Sequence, residues 1–259
     1  MLIDTHCHYN HEAFDTDRAE AIQRAREAGV GRAVVIGYDL ASSAWAVQLT
    51  EEFPELYAAV GIHPNDAAEA KAEGLWRLEV LAAHPKVVAL GEIGLDFHWN
   101  VEPPERQRAA LREQLHLARQ LGLPIVLHTR LSDREVVAAL EEEGGTWRGI
   151  LHCFGGDPEV ARRALAVGLH LGLGGVLTFK NARQLQETTR TLPLERVVLE
   201  TDAPYLTPMP HRGRIRRNEP CYLPFVARHL AALRGLSEDE IAAITTRNAT
   251  ALLGLPEDQ

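Results

Sequence analysis

Residues Ile3-Asp4-Thr5-His6-Cys7-His8 decide the reading of this chain. The stretch is short, apolar-flanked, and carries two histidines one residue apart. In an extended strand alternate side chains share a face, so Asp4, His6 and His8 are expected on one side and Ile3, Thr5 and Cys7 on the other. Two imidazoles on one face at a strand end make half of a metal site. The other half must come from elsewhere, so the architecture has to bring distant residues to this point.

Working outward, seven more runs resemble the first. Together they cover residues 2–6, 33–37, 57–63, 87–91, 124–128, 149–153, 168–173 and 197–201. They are short, nearly continuously apolar and rich in Val, Ile and Leu, as strands buried on both faces should be. Helix-period segments lie between them, among them residues 17–28, 105–121 and 157–166. In the first of these, Arg18, Glu20, Arg24 and Glu27 oppose Ala21, Ile22, Ala25 and Ala28. Asp133 and Asp157 (followed by Pro158) stand where helices should start, and Gly29, Gly122 and Gly168 where they should stop. Residues 237–253 read as a closing helix pair, with Ser237 and Glu240 at capping-box spacing.

Strand–helix alternation throughout implies a parallel sheet. Eight units without a linker or composition shift predict an α/β fold, a closed eight-stranded parallel (β/α)8 TIM barrel, as one domain over residues 1–259. No GxGxxG or GxxxxGK[ST] follows the first strand. Gly172, Gly174 and Gly175, around the seventh strand, are expected to permit close backbone approach rather than to cradle phosphate.

Composition narrows the function. Of 259 residues, 46% are hydrophobic, and the formal net charge is −9. So acidic a chain is a poor non-specific binder of phosphate backbones, and a nucleic-acid partner must be met by local positive charge or bound metal. The lysines are Lys71, Lys86 and Lys180; the remaining basic charge is arginine. Three widely spaced cysteines, Cys7, Cys153 and Cys221, without CxxC, argue against a disulfide framework or thiolate zinc site. With no apolar run of membrane-spanning length or leader-like segment, the expectation is a cytoplasmic protein without membrane attachment.

In a barrel the active site lies at the C-terminal ends of the strands. Those ends carry His6 and His8, then His63, Glu92 with Asp96, His128, His152, and Glu200 with Asp202. His6, His8, Glu92, His128, His152 and Asp202 supply four nitrogens and two carboxylates. That is too many for one tetrahedral ion with an open position and suits two divalent ions sharing a bridge. Strand four lies between the two ligand groups, so Glu92 is the expected bridge. Asp202, next to strand one around a closed ring, is expected to bind an ion and orient or deprotonate a metal-activated water. Asp4 and Glu200 read either as groups orienting a ligand or as buried structural acids; Asp96 as a site group or a turn cap; His63 as a substrate contact or a rim hydrogen bond. After strand eight, Arg212, Arg214, Arg216 and Arg217 occupy one loop. Arg212, Arg214 and Arg217, with Arg130, are candidates for binding phosphate.

His6-Cys7-His8, Gly61-Ile62-His63-Pro64, Gly91-Glu92-Ile93-Gly94-Leu95-Asp96, His152-Cys153-Phe154, Glu200-Thr201-Asp202-Ala203-Pro204-Tyr205-Leu206 and Arg217-Asn218-Glu219-Pro220 together resemble the TatD family of metal-dependent deoxyribonucleases. The resemblance runs to about residue 254 with the motifs in the family's order. It implies a TIM-barrel hydrolase using one or two ions (magnesium, manganese or zinc) to cut DNA, often 3′–5′ and at single-stranded or frayed ends. It also implies ligation by the six residues above and contact of His63 with the scissile phosphate or an extra ion. The chain departs from the family at Tyr9-Asn10, where Leu-Asp is usual, at Phe97, where tyrosine is usual, and in a longer arginine loop. The competing readings are an amidohydrolase-type enzyme on an amide or ester, including a mischarged aminoacyl-tRNA, and a non-catalytic metal-binding scaffold. Against the first, strand four carries Glu92 rather than a bridging lysine.

Overall fold

The computed structural model describes residues 1–215 and 217–256; Arg216 and the last three residues lie outside it. Eight strands run in the order of the chain, each parallel to the next: β1 Leu2–Cys7, β2 Val30–Ile36, β3 Leu56–Val60, β4 Val87–Asp96, β5 Ile125–Arg130, β6 Gly149–Leu151, β7 His170–Leu173 and β8 Val197–Leu199. The seam between β8 and β1 is closed by a bridge between Cys7 and Ala203. Beside it, Asp202 N–H donates to His6 O (2.8 Å) and His8 N–H to Ala203 O (2.7 Å). Seven helices follow the first seven strands: α1 Arg18–Glu27, α2 Leu40–Glu52, α3 Ala72–Ala82, α4 Pro104–Leu121, α5 Asp133–Glu143, α6 Pro158–Ala166 and α7 Arg183–Thr191. After β8 come α8 Leu223–Arg234 and α9 Glu238–Leu253. The fold is the expected (β/α)8 barrel.

Strand residues alternate between two apolar layers. Val35, Ala58 and Leu90 pack with helix residues such as Leu49, Leu78 and Leu115. Val34, Ile36, Ala59, Val126 and Val198 form the barrel interior with Leu252 and Leu253 of α9. That helix covers the strand starts: Asn248 Nδ2 donates to Val197 O (2.8 Å), and Thr246 Oγ1 to Met1 O (2.8 Å). Each leucine buried there contributes roughly 1.5–3 kcal/mol. With that end plugged, the strand C-termini form the open mouth.

Several local expectations change. Residues 237–253 are one helix, not a pair; its capping box of Ser237 and Glu240 is formed, and its partner is the preceding α8. The helix cap before α5 is Ser132, with Asp133 the first helical residue. β4 continues past residue 91 to Asp96, because it pairs with β5 beyond a register shift between Leu90 and Ile93. Strict alternation fails in β1, where the register against β2 shifts twice. Ile3 therefore packs inside the barrel while Cys7 belongs to the outer layer.

Candidate metal centre

The mouth is a cavity of about 720 Å³ whose walls include His8, His63, Glu92, His128, His152 and Asp202. On the β1/β8 side, His6 Nε2 and His8 Nε2 are 3.3 Å apart. Asp202 Oδ1 lies 3.4 Å from His8 Nε2, 3.7 Å from His6 Nε2 and 3.9 Å from His152 Nε2. The His6 and His152 rings stack at 3.5 Å. On the β4/β5 side, Glu92 faces both ways: Oε2 is 3.7 Å from His6 Nε2, and Oε1 is 2.7 Å from His128 Nδ1. The far nitrogen of His128 is 3.3 Å from Asp96 Oδ2. The structure thus gathers all six residues proposed as ligands from the sequence.

The donor set fits divalent ions. Ligand atoms of His6, His8 and Glu92 all lie within 4.8 Å of one another, as do those of His63, Glu92 and His128, and those of His6, His152 and Asp202. Glu92 belongs to two of these groups, as a bridge must. His6 and His8 aim their Nε2 atoms at each other, and Glu92 and Asp202 both approach His6 Nε2. Nitrogen and carboxylate oxygen suit zinc, manganese or magnesium.

The electrostatics differ by position. Burial, reinforced by neighbouring His152, holds His6 well below the ordinary imidazole value. Burial also opposes charge on His128 and His152, but the carboxylates win. Glu92 and Asp96 push His128 up to about 9, and Glu200 pushes His152 up to about 10. Glu92, which burial would raise, is held well below the carboxylate range by His6 and His128. Burial and the neighbouring His128 bring His63 down to about 3. Its Nδ1 accepts the Asn65 N–H (3.1 Å), so the neutral ring carries its proton on Nε2.

The residues read two ways from sequence now have positions. Glu200 Oε1 lies 2.9 Å from His152 Nδ1 and accepts the Cys153 N–H (2.6 Å), orienting that ring. Gly172 leaves room for this carboxylate, since a Cβ there would lie 2.3 Å from Glu200 Oε2. Asp4 is a seam clamp: it accepts from Thr201 Oγ1 (2.6 Å), Thr201 N–H (3.0 Å) and His6 N–H (3.2 Å). Asp96 holds His128 and also caps the turn, accepting the His98 and Trp99 N–H groups (2.9 and 3.0 Å).

The arginine loop is where the structure corrects the sequence. Arg130 lines the mouth. Arg217 instead pairs with Asp17 (2.6 Å) and Glu219 (3.0 Å), and Arg24 bonds to the same two carboxylates. Its charge is neutralised there, so it braces a loop rather than meeting substrate. Arg212 packs its guanidinium over Phe179 (3.8 Å), and Arg214 is exposed; neither lines the mouth. Arg216 lies outside the described residues. Asn10, at a departure from the family pattern, is a staple: its Nδ2 donates to Ile36 O (2.9 Å) and Ser42 O (3.0 Å).

Sequence reasoning missed two buried glutamines of α4. Gln114 brackets Ile62, accepting its N–H (2.8 Å) and donating to its carbonyl (3.0 Å), just before His63. Gln107 does the same to Asp96 (2.8 and 3.1 Å) and also donates to Glu102 O (2.8 Å). The signal was available: two amides seven residues apart on an otherwise apolar helix stripe. Trp99 and Tyr205, which also line the mouth, carried no such pattern.

Comparison with known proteins agrees with this geometry. A family model described as "TatD related DNase" matches residues 3–254. An uncharacterized metal-dependent hydrolase, YabD of Bacillus subtilis, is 45% identical over 97% of this chain and 98% of its own length. The 3′-5′ ssDNA/RNA exonuclease TatD of Erwinia amylovora is 39% identical over 93% of this chain and 95% of its own. Among solved structures, the TatD homologue YJJV of Escherichia coli K12 superposes with a TM-score of 0.91 at 34% identity, covering 98% of both chains.

Proposed function

The chain belongs to the TatD-related DNase family of metal-dependent hydrolases, and from that premise we propose that it cuts DNA phosphodiesters as a 3′–5′ exonuclease on single-stranded or frayed ends. It is a hydrolase acting on ester bonds. In this reading residues 1–259 form one barrel domain, His6, His8, Glu92, His128, His152 and Asp202 are the ligands, and magnesium, manganese or zinc is the ion. Among the described residues no helix is long and apolar enough to cross a membrane.

The observation that carries the proposal is Glu92, whose two oxygens face His6 on one side and His128 on the other. Divalent ions in such a donor set supply polarisation of a phosphoryl oxygen and a bound water of lowered pKa. The residues do the rest. Asp202, central to His6, His8 and His152, orients the attacking water and takes its proton. His63, neutral with its proton on Nε2, donates a hydrogen bond to a phosphate oxygen. Arg130 steadies the negative backbone at the rim.

The test strips the protein of metal and re-supplies magnesium, manganese and zinc singly. Each preparation is offered a single-stranded oligonucleotide, its duplex, and a panel of amides and esters. Ion-dependent shortening of the single strand from its 3′ end is expected. Turnover of the panel with none on DNA would reverse the proposal.

A further inference from the structure

Trp99 is large, apolar and 61% exposed, yet it lines the metal-facing cavity. An exposed indole at the rim of a polar cavity is a surface a ligand can cover. The turn that carries Trp99 is held at both ends. Asp96 accepts its N–H, and Gln107 donates to Asp96 O and Glu102 O. The indole is therefore presented on a fixed support rather than left on a loose tip.

Arg130 lies over this indole, its guanidinium carbon 5.3 Å from the ring centroid. Among the described residues Arg130 has no ion pair, and no other lysine or arginine lines the cavity. An aromatic plate with one adjacent unpaired cation is what a nucleotide needs: a face for the base and a charge for its phosphate.

We propose that Trp99, with Arg130, is a stacking subsite for an unpaired nucleobase next to the scissile phosphate. The proposal rests on the nuclease reading and adds the residues that would select an unpaired strand. A base can lie on the indole only when it has left its duplex partner, so the subsite selects single strands. Stacking on one aromatic ring strengthens binding about ten-fold to a hundred-fold.

The test uses the metal-loaded protein and two oligonucleotides of one length, one natural and one with abasic residues at its 3′ end. The wild type is expected to prefer the natural strand through KM. In Trp99→Ala, KM for the natural strand should rise at least about ten-fold with a smaller change in kcat, and the preference over the abasic strand should fall toward one. Trp99→Phe should restore most of it. A natural-strand KM within two-fold of wild type in Trp99→Ala, or equal losses on both strands, overturns the subsite. If the wild type cuts neither strand, the nuclease reading fails and takes the subsite with it; a wild type that cuts DNA while Trp99→Ala behaves normally sinks the subsite alone.

Discussion

The two halves of the mouth contain the same kinds of side chain in different states. On the seam side, His6, His8 and Asp202 stand 3.3–3.7 Å apart, and Asp202 raises His8 against the effect of burial. His6 is held neutral. On the β4/β5 side, His128 is clamped between Glu92 at 2.7 Å and Asp96 at 3.3 Å, and holds a proton up to about pH 9. The difference teaches that a metal site can be preset at one donor and not at its neighbours. His6 offers a free lone pair, whereas His152 beside it and His128 across the mouth must each exchange a proton for an ion. The bracing differs as well: a carboxylate, Asp4, ties the seam, whereas a neutral amide, Gln107, ties the end of β4.

The comparison breaks first at the residue both halves share. Glu92→Ala should lower turnover by about a hundredfold to a thousandfold, the scale of losing one pre-placed electrostatic group, while circular dichroism still reports the folded barrel. Full activity with stoichiometric metal would mean that the halves work without a common bridge.

The next effect is a pH dependence. Below about 9 and 10, His128 and His152 carry protons that an ion must displace. Ion affinity should therefore rise with pH between 6 and 9, by up to about ten-fold per unit for each proton released. Metal titrations at pH 6, 7 and 8 with proton release followed by pH-stat check this. Because the folded pKa of His128 lies above its ordinary 6.5, its stabilisation of the metal-free protein is complete below about 6.5 and lost as pH rises through about 9. Ion binding without proton release would show both halves to be preset.

The smallest expected change sharpens the bracing. Gln107→Ala leaves the buried Asp96 N–H and carbonyl without their amide partner, at a cost of about 1–3 kcal/mol in urea unfolding of the metal-free protein. It should weaken ion binding on the β4/β5 side more than on the seam side. Equal weakening of both would count against independent bracing.

The barrel and its six clustered side chains were legible in the sequence. Strands buried on both faces must read as apolar runs, and polar residues ending those runs stand out. The arginine loop was not legible in the same way. Arg217 and Arg130 look alike as letters, yet Asp17 and Glu219 neutralise one while the other faces the cavity. The Arg217–Asp17 pairing joins residues 200 positions apart, which no local pattern encodes. The roles of Asp4 and Glu200 also depended on distant partners, Thr201 across the seam and His152 and Cys153 just after β6.

By itself, then, the sequence determined the layer architecture, the end of the barrel where polar chemistry collects, and the donor types gathered there, because periodicity and residue chemistry are local properties. The tertiary structure alone decided which charges are matched, which imidazoles hold protons and which aromatic faces stay open, because each depends on distances of a few ångströms between distant parts of the chain.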